Sequence, residues 1–346
     1  MNANLGFILQ ALLAALFFGA SAPISKLLLG DVPPVLMAAF LYLGSGTGIS
    51  LVKLYQRFTK NQKEAGIQRP DVKWLAGAII SGGILAPIIL MISLKNTTAS
   101  TASLLLNFEG VGTTLIALFF FRESISRRAL GAILVITVAS VFLSTDFTAG
   151  FGLSLGALGV ILACTLWGVD NNLTRNISAK DPLTIVAWKG LVAGSFSLLL
   201  GLGLGQQLPA LTSILSILLL GFISYGLSTM LFIYSMRGLG AARTSALYGT
   251  APLAGVLLSL IIFREPITLL FGIAAVLMAA GAWLLANEEH AHFHIHMPVV
   301  HEHRHIHDEY HSHDSADMTH SHEHDHPRAE HEHGHMPDIH HRHEDD

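Results

Sequence analysis

Glu109 is a carboxylate in the middle of an apolar run, LLLNFEGVGTTLIALFFFRESIS, from Leu104 to Ser126. At bilayer depth a charge costs at least ~2.5–3.5 kcal/mol, so ionisable groups kept there are functional by default. A carboxyl in such a place suits the uptake and release of a proton. The plainer role is a structural carboxyl bonded to Asn107, Thr113 or a facing helix. Asp170 and Lys189 lie at similar depth on consecutive apolar segments. Either they neutralise each other, or Lys189 awaits an anionic group beside a polar wall of Asp170, Asn171 and Asn172. Trp167, Trp188, Tyr248 and Phe18 are candidates to line an apolar pocket, against the commoner role of packing or interfacial belt. Pro23, Pro87 and Pro252 would interrupt their helices and free backbone carbonyls.

A second chemistry sits at the other end of the chain. All 20 histidines lie beyond residue 289. They are His290, His292, His294 and His296, then His301, His303, His305 and His307, then His311 and His313. After them come His320, His322, His324 and His326, with His331, His333, His335, His340, His341 and His343 completing the set. Imidazoles alternating with Glu and Asp suit divalent transition metals such as Zn, Ni, Co or Cu. Their spacing is too repetitive to define one closed site. Low hydrophobicity and high acidity predict a disordered tail. The alternatives are an incidental metal binder, a buffer or sensor, and a pH-responsive segment, since imidazole changes charge near pH 6.5. No resident cofactor is required by anything in the chain.

The elements that must position these groups follow from hydropathy. The 346 residues are 51% hydrophobic and 13% charged, where a soluble domain carries roughly 25% charge. Residues 1–287 hold 17 Lys and Arg against 9 Asp and Glu, and residues 288–346 hold 3 against 15. The overall charge of −4 therefore averages two unlike parts and points to no partner such as nucleic acid. At about 20 apolar residues per span, ten helices are expected near 5–29, 33–54, 73–94, 99–121, 127–145, 153–174, 183–204, 211–236, 243–263 and 266–287. The first lacks a basic leader and is read as a retained helix. Lys and Arg concentrate in the second-to-third, fourth-to-fifth, sixth-to-seventh and eighth-to-ninth loops. The opposite side has only Lys26, Lys95 and Arg264, which places both termini in the cytoplasm. Cys164 is the one cysteine, so neither a disulfide nor a Cys-based metal site can form within the chain.

The run around Glu109 has a counterpart, ALYGTAPLAGVLLSLIIFREPIT, from Ala246 to Thr268. Both reach Phe-Arg-Glu, at Phe121-Arg122-Glu123 and Phe263-Arg264-Glu265. Leu16-Phe17-Phe18-Gly19 to Ser25-Lys26 likewise parallels Leu166-Trp167-Gly168 to Thr174-Arg175. Five helices per half force the halves to insert in opposite senses, so the expected fold is an all-α membrane protein of two inverted five-helix repeats. Its parts are residues 1–145, 146–289 and the tail 290–346. Inverted repeats and broken helices are typical of secondary transporters, with the site near the midplane.

An aromatic-Gly pair in the first helix of each half, and a small-residue helix ending in Phe-Arg-Glu, resemble the drug/metabolite transporter superfamily, EamA type. The resemblance spans residues 5–287. It implies a secondary exporter or exchanger of small metabolites in the cytoplasmic membrane, a monomer or homodimer, without ATP. Gly110 departs from the family's usual Pro after Glu, while Pro252 keeps it. Lys189 and Leu41 stand where an Arg is common. The pathway candidates are thus Glu109, Asn107, Asp170, Asn171, Asn172, Lys189, Trp167, Tyr248 and Pro252. The competing function is efflux of a divalent metal or metal chelate, with the tail as sensor or collector. No nucleophile–base set or phosphate loop supports an enzyme.

Overall fold

The computed structural model describes the chain except residues 1–2, 31, 60–64, 122–126, 147–151, 179, 240–243, 245–246, 287–289, 297–298, 307–318, 327–328 and 336–346. Among the described residues, six helical stretches are long and apolar enough to cross a membrane. They are Leu5–Leu28, Pro34–Phe58, Arg69–Lys95, Ala99–Phe121, Pro182–Gly203 and Leu211–Met236. Leu130–Leu143, Ala251–Phe263 and Leu269–Leu284 are shorter apolar helices. Leu155–Arg175 has the length, 21 residues, but carries Asp170, Asn171, Asn172 and Arg175. Helices are the expected form here because lipid offers backbone groups no partner.

The stretches are not simple rods. Helix α1 (Ala3–Gly19) is followed by α2 (Ser21–Leu28), and α3 (Pro34–Thr59) runs unbroken. Next, α4 (Val72–Ala78) joins α5 (Ala86–Lys95) through a π-helical segment, Ile79–Leu85. Helix α6 (Ala99–Leu105) stops at a turn, Leu106–Asn107, and α7 (Phe108–Phe121) restarts the span. Helices α8 (Arg127–Ser144), α9 (Leu155–Arg175) and α10 (Pro182–Gly203) follow. Then α11 (Leu211–Gly221) joins α12 (Ser228–Leu239) through a second π segment, Phe222–Leu227. A turn at Gly249–Thr250 precedes α13 (Ala251–Phe263), and α14 (Leu269–Ala286) ends the helical part.

The irregularities recur at a fixed spacing. The second π segment starts 143 residues after the first, Phe222 against Ile79. Likewise α13 starts 143 residues after α7, Ala251 against Phe108. π segments are rare and gather at functional sites, so two pairs of matched departures outweigh either alone.

Glycines set the crossings between the halves. A Cβ on Gly19 of α1 would stand 2.2 Å from the Ala251 carbonyl oxygen of α13. A Cβ on Gly168 of α9 would stand 2.6 Å from the Gly112 carbonyl carbon of α7. The first helix of each half therefore lies hard against the broken helix of the other. Close approach through small residues is the usual packing device in lipid. The glycine of each aromatic-Gly pair thereby receives a physical role.

Short antiparallel pairing occurs outside the helices. Strands β1 (Thr145–Asp146) and β2 (Gly152–Leu153) pair between α8 and α9. In the tail, β3 (His290–His296) pairs with β6 (Ala329–His335), and β4 (Val299–Ile306) with β5 (Thr319–His326). Alternation of imidazole with acid has the two-residue period of a strand. His307, His311 and His313 lie outside the described residues.

Candidate functional site

The interior site is assembled around a carbonyl that the first π segment sets free. In that segment the N–H of Ala86 reaches back to the Ser81 carbonyl. The next residue, Pro87, has no N–H to offer the Gly82 carbonyl. Two side chains supply what is missing: the Tyr42 hydroxyl donates at 2.6 Å and the Trp167 indole N–H at 3.0 Å. Asp170 packs on the same glycine, whose Cβ, if present, would overlap the carboxylate at 2.0 Å.

Asp170 is fully committed. Lys189 Nζ donates to both of its oxygens at 2.6 Å, and Thr174 Oγ1 donates to Oδ1 at 2.9 Å. Both partners are largely buried. Of the two readings open for Lys189, the geometry matches mutual neutralisation.

Glu109 stands apart from that pair, in the first turn of α7, where a helix dipole favours a negative group. Its Oε1 accepts from Asn171 Nδ2 at 2.9 Å, and the same amide reaches Thr113 Oγ1 at 3.1 Å. Asn172 donates to the carbonyls of Thr113 (2.9 Å) and Gly168 (2.8 Å), tying α9 to α7. Asn107 is not a partner of Glu109, since its amide turns back to the Leu104 carbonyl at 3.1 Å. Among the described residues, no ammonium or guanidinium is bonded to Glu109.

Aromatic side chains fill the space between α1, α3 and the second π segment. Phe18 meets Tyr225 edge-on (centroids 6.0 Å apart) and Tyr248 at 5.6 Å. Tyr42 meets Tyr225 at 5.6 Å and Phe232 meets Tyr248 at 4.8 Å. Ser228 Oγ donates to the Ala14 carbonyl and lies 3.4 Å from the Tyr248 hydroxyl. The sequence reading named Phe18, Trp167 and Tyr248 but missed Tyr42, Tyr225 and Phe232. For the two tyrosines, a hydroxyl-bearing ring inside an apolar run was the available signal. Trp188 is 53% exposed and belongs to the outer surface, not to this cluster. Pro252 is buried in the first turn of α13, so it opens a helix rather than kinking one.

Polar ties close both ends of the bundle. At one end Arg264 takes a left-handed conformation (φ 50°), ending α13. The carboxylate of Glu265, the next residue, accepts from the backbone N–H of Ala99 (2.9 Å) and Ser100 (3.0 Å) at the start of α6. Lys26 donates nearby to the carbonyls of Leu94 and Thr97. At the other end Lys53 bonds Asp181 at 2.6 Å and also reaches Thr184. The Asp181 N–H donates to the Ala65 carbonyl at 2.8 Å, and Lys180 lies 3.7 Å from Asp71. Burial opposes the charge on Asp181. The hydrogen bonds from Lys53 and Thr184 and the Lys53 charge outweigh it and hold the carboxyl below the usual carboxylate range. Arg122 and Glu123, the counterpart of Arg264-Glu265, lie outside the described residues.

The EamA-like transporter family matches this chain twice, at residues 5–145 and 154–287. The chain belongs to that family. The first match ends at β1, and the second begins just after β2 and ends with α14. A relative from Methanothermobacter thermautotrophicus (strain Delta H), described as an uncharacterized transporter, is 29% identical over 289 residues. That alignment takes in 79% of this chain and 83% of the relative. A solved crystal structure shares the fold with a TM-score of 0.59 at 20% identity, covering 80% of this chain and 94% of its own. A multi-pass membrane transporter, rather than an enzyme, is the identity these matches carry.

Proposed function

We propose that this EamA-family protein is a secondary carrier that exports small organic molecules across the cytoplasmic membrane in exchange for protons, with Glu109 as the proton-exchanging group. The observation that carries the reading is the pair of spans broken at Leu106–Asn107 and Gly249–Thr250, one in each half. Discontinuous helices in corresponding positions are the best pointer to a carrier's site. Beside the first break stands Glu109, with only a neutral amide bonded to its carboxylate. Asp170 and Lys189 act as an internal strut that orients Trp167 and Tyr42 around Gly82.

In this reading all ten helices span the bilayer, the halves are inverted, and both termini face the cytoplasm, as the Lys and Arg distribution supports. Labelling Ser124→Cys and Thr268→Cys from each side of the membrane tests the topology. Reaction of both from the same compartment overturns it. Uptake into inside-out vesicles, with and without an imposed pH gradient, tests the activity. Full pH-driven transport by Glu109→Gln would remove the proton role.

The histidine tail is proposed to bind divalent transition metal on the cytoplasmic side. Residues 1–289 contain no histidine, which places the imidazole ligands in the tail rather than in the pathway. Deleting residues 290–346 and following metal tolerance and accumulation tests this. Unchanged values for both would leave the tail without a role in metal handling.

A further inference from the structure

The second Phe-Arg-Glu motif takes no part in the interior site, yet its backbone is held in an unusual shape. Arg264 (φ 50°) is, among the described residues, the one non-glycine residue with a positive φ. That region is unfavourable for any residue with a Cβ, and it persists where the surroundings hold it, commonly at functional positions. Here it ends α13, and Glu265 follows, bonded to α6. Each carboxylate oxygen takes one N–H of the first turn, Oε1 from Ala99 at 2.9 Å and Oε2 from Ser100 at 3.0 Å. Thr98 Oγ1 takes the third, from Thr101, at 3.1 Å. First-turn N–H groups have no partner inside their own helix, and bonds to a carboxylate are about twice as strong as neutral ones.

Helix α6 belongs to the first half, and its grips belong to the second. Its C-terminal end rests on Cys164 of α9, whose thiol lies 3.6 Å from the Leu105 carbonyl oxygen and 4.0 Å from that of Leu106. A thiol is a weak donor, so Glu265 is the strong tie. Between the two ends Ser103 packs on Gly255 of α13 with its hydroxyl buried and unbonded. Every residue of α6 but Thr101 is buried. The Leu106–Asn107 break follows directly, so what fixes α6 also fixes the break beside Glu109. Lys26 of α2 holds the preceding turn by the carbonyls of Leu94 and Thr97. Gly156 of α9 packs on the Asn96 carbonyl of that turn. Cys164, eight residues on along α9, therefore lies about 12 Å further in.

We propose that Glu265 is a positioning residue for transport: it latches α6 to the second half, and its release opens the bundle at the end that carries Arg264. This rests on the carrier reading of the interior site and names the residue that controls entry to it from that end. Movement of one half against the other breaks the Glu265 bonds and lifts Leu105 from Cys164 in the same step. The chain's single thiol therefore reports the latch.

The test is the rate at which a membrane-impermeant methanethiosulfonate modifies Cys164 of the full-length chain, in right-side-out and in inside-out membrane vesicles. Burial of the thiol predicts slow modification of the wild-type chain from either face. Glu265→Ala is expected to raise the rate at least ~10-fold from the Arg264 face alone, because the closed state loses two charge-assisted bonds. Glu265→Gln keeps one acceptor oxygen and is expected to fall between. Lys26→Met frees the turn before α6 but not α6 itself, so a smaller rise from the same face is expected. It carries the test if neither Glu265 variant folds. An unchanged rate in the folded variants overturns the inference. Equal rises from both faces, which loss of fold would give, overturn it too. In either case the carrier reading stands on gradient-driven uptake by the wild-type chain, and absence of that uptake counts against the carrier reading itself.

Discussion

The break before α7 and the break before α13 are the same backbone event carrying different side chains. Each is a two-residue turn, the helix that follows each is crossed by the glycine of an aromatic-Gly pair from the opposite half, and those helices end at Phe121 and Phe263. In the first turn after the break, however, α7 has Glu109 and α13 has Pro252. The π segments repeat the contrast. In the first half a proline removes a donor, and the freed carbonyl recruits Tyr42 and Trp167. In the second half no proline follows, and Tyr225 itself sits in the segment. The repeat supplies a shared backbone frame, and the side chains placed on it set the two halves apart.

That contrast can be broken experimentally, beginning where the largest effect is expected. Removing Lys189 with Lys189→Ala leaves Asp170 buried and unpaired, at a cost of about 3–5 kcal/mol. Thermal unfolding should register it, and restoration of function by the swap Lys189→Asp with Asp170→Lys would show that the pair is structural. Next, Gly19→Val and Gly168→Val should each destabilise by roughly 3 kcal/mol, the upper end for overpacking. Near-equal losses in detergent-melting midpoints would confirm that the two crossings are equivalent. Chemistry should divide the halves where packing does not. Glu109→Gln should lower pH-driven uptake at least ~10-fold, about 1.4 kcal/mol in the barrier. Pro252→Ala should leave the pH dependence of uptake in place, because no titrating group is lost.

The smallest effect is expected at the Lys53–Asp181 tie, where Lys53 is 44% exposed. Asp181→Asn should cost no more than about 1 kcal/mol, as for partly exposed ion pairs. The carboxyl is held below its ordinary range when folded, so its contribution is complete above pH ~4, the unfolded value. It fades as pH falls through the lower folded value. A melting midpoint that loses this contribution at about pH 6, well above both values, would contradict the bond.

Much of this was legible because membranes tax polar groups. Runs of about 20 apolar residues mark the helices, and an ionisable group inside one is rare enough to stand out. Glu109, Asp170 and Lys189 were found in that way. The glycines beside Phe18 and Trp167 were visible as a motif, but their purpose was not. Close approach is a property of two helices, and one strand of sequence shows only one of them. The turn at Leu106–Asn107 contains no proline and had no local signal, whereas Pro87 and Pro252 announced their neighbourhoods.

Sequence alone decided that the chain is a helical membrane protein of two related halves, because hydropathy and repetition are properties of the chain read in order. It also singled out the carboxylate at residue 109. Tertiary structure decided which of the interior charges are matched. Lys189 lies 19 residues from Asp170 and 80 from Glu109, yet it is the distance across helix faces that assigns it to Asp170. Coulomb attraction falls with separation in space, and separation in space is what a sequence does not record.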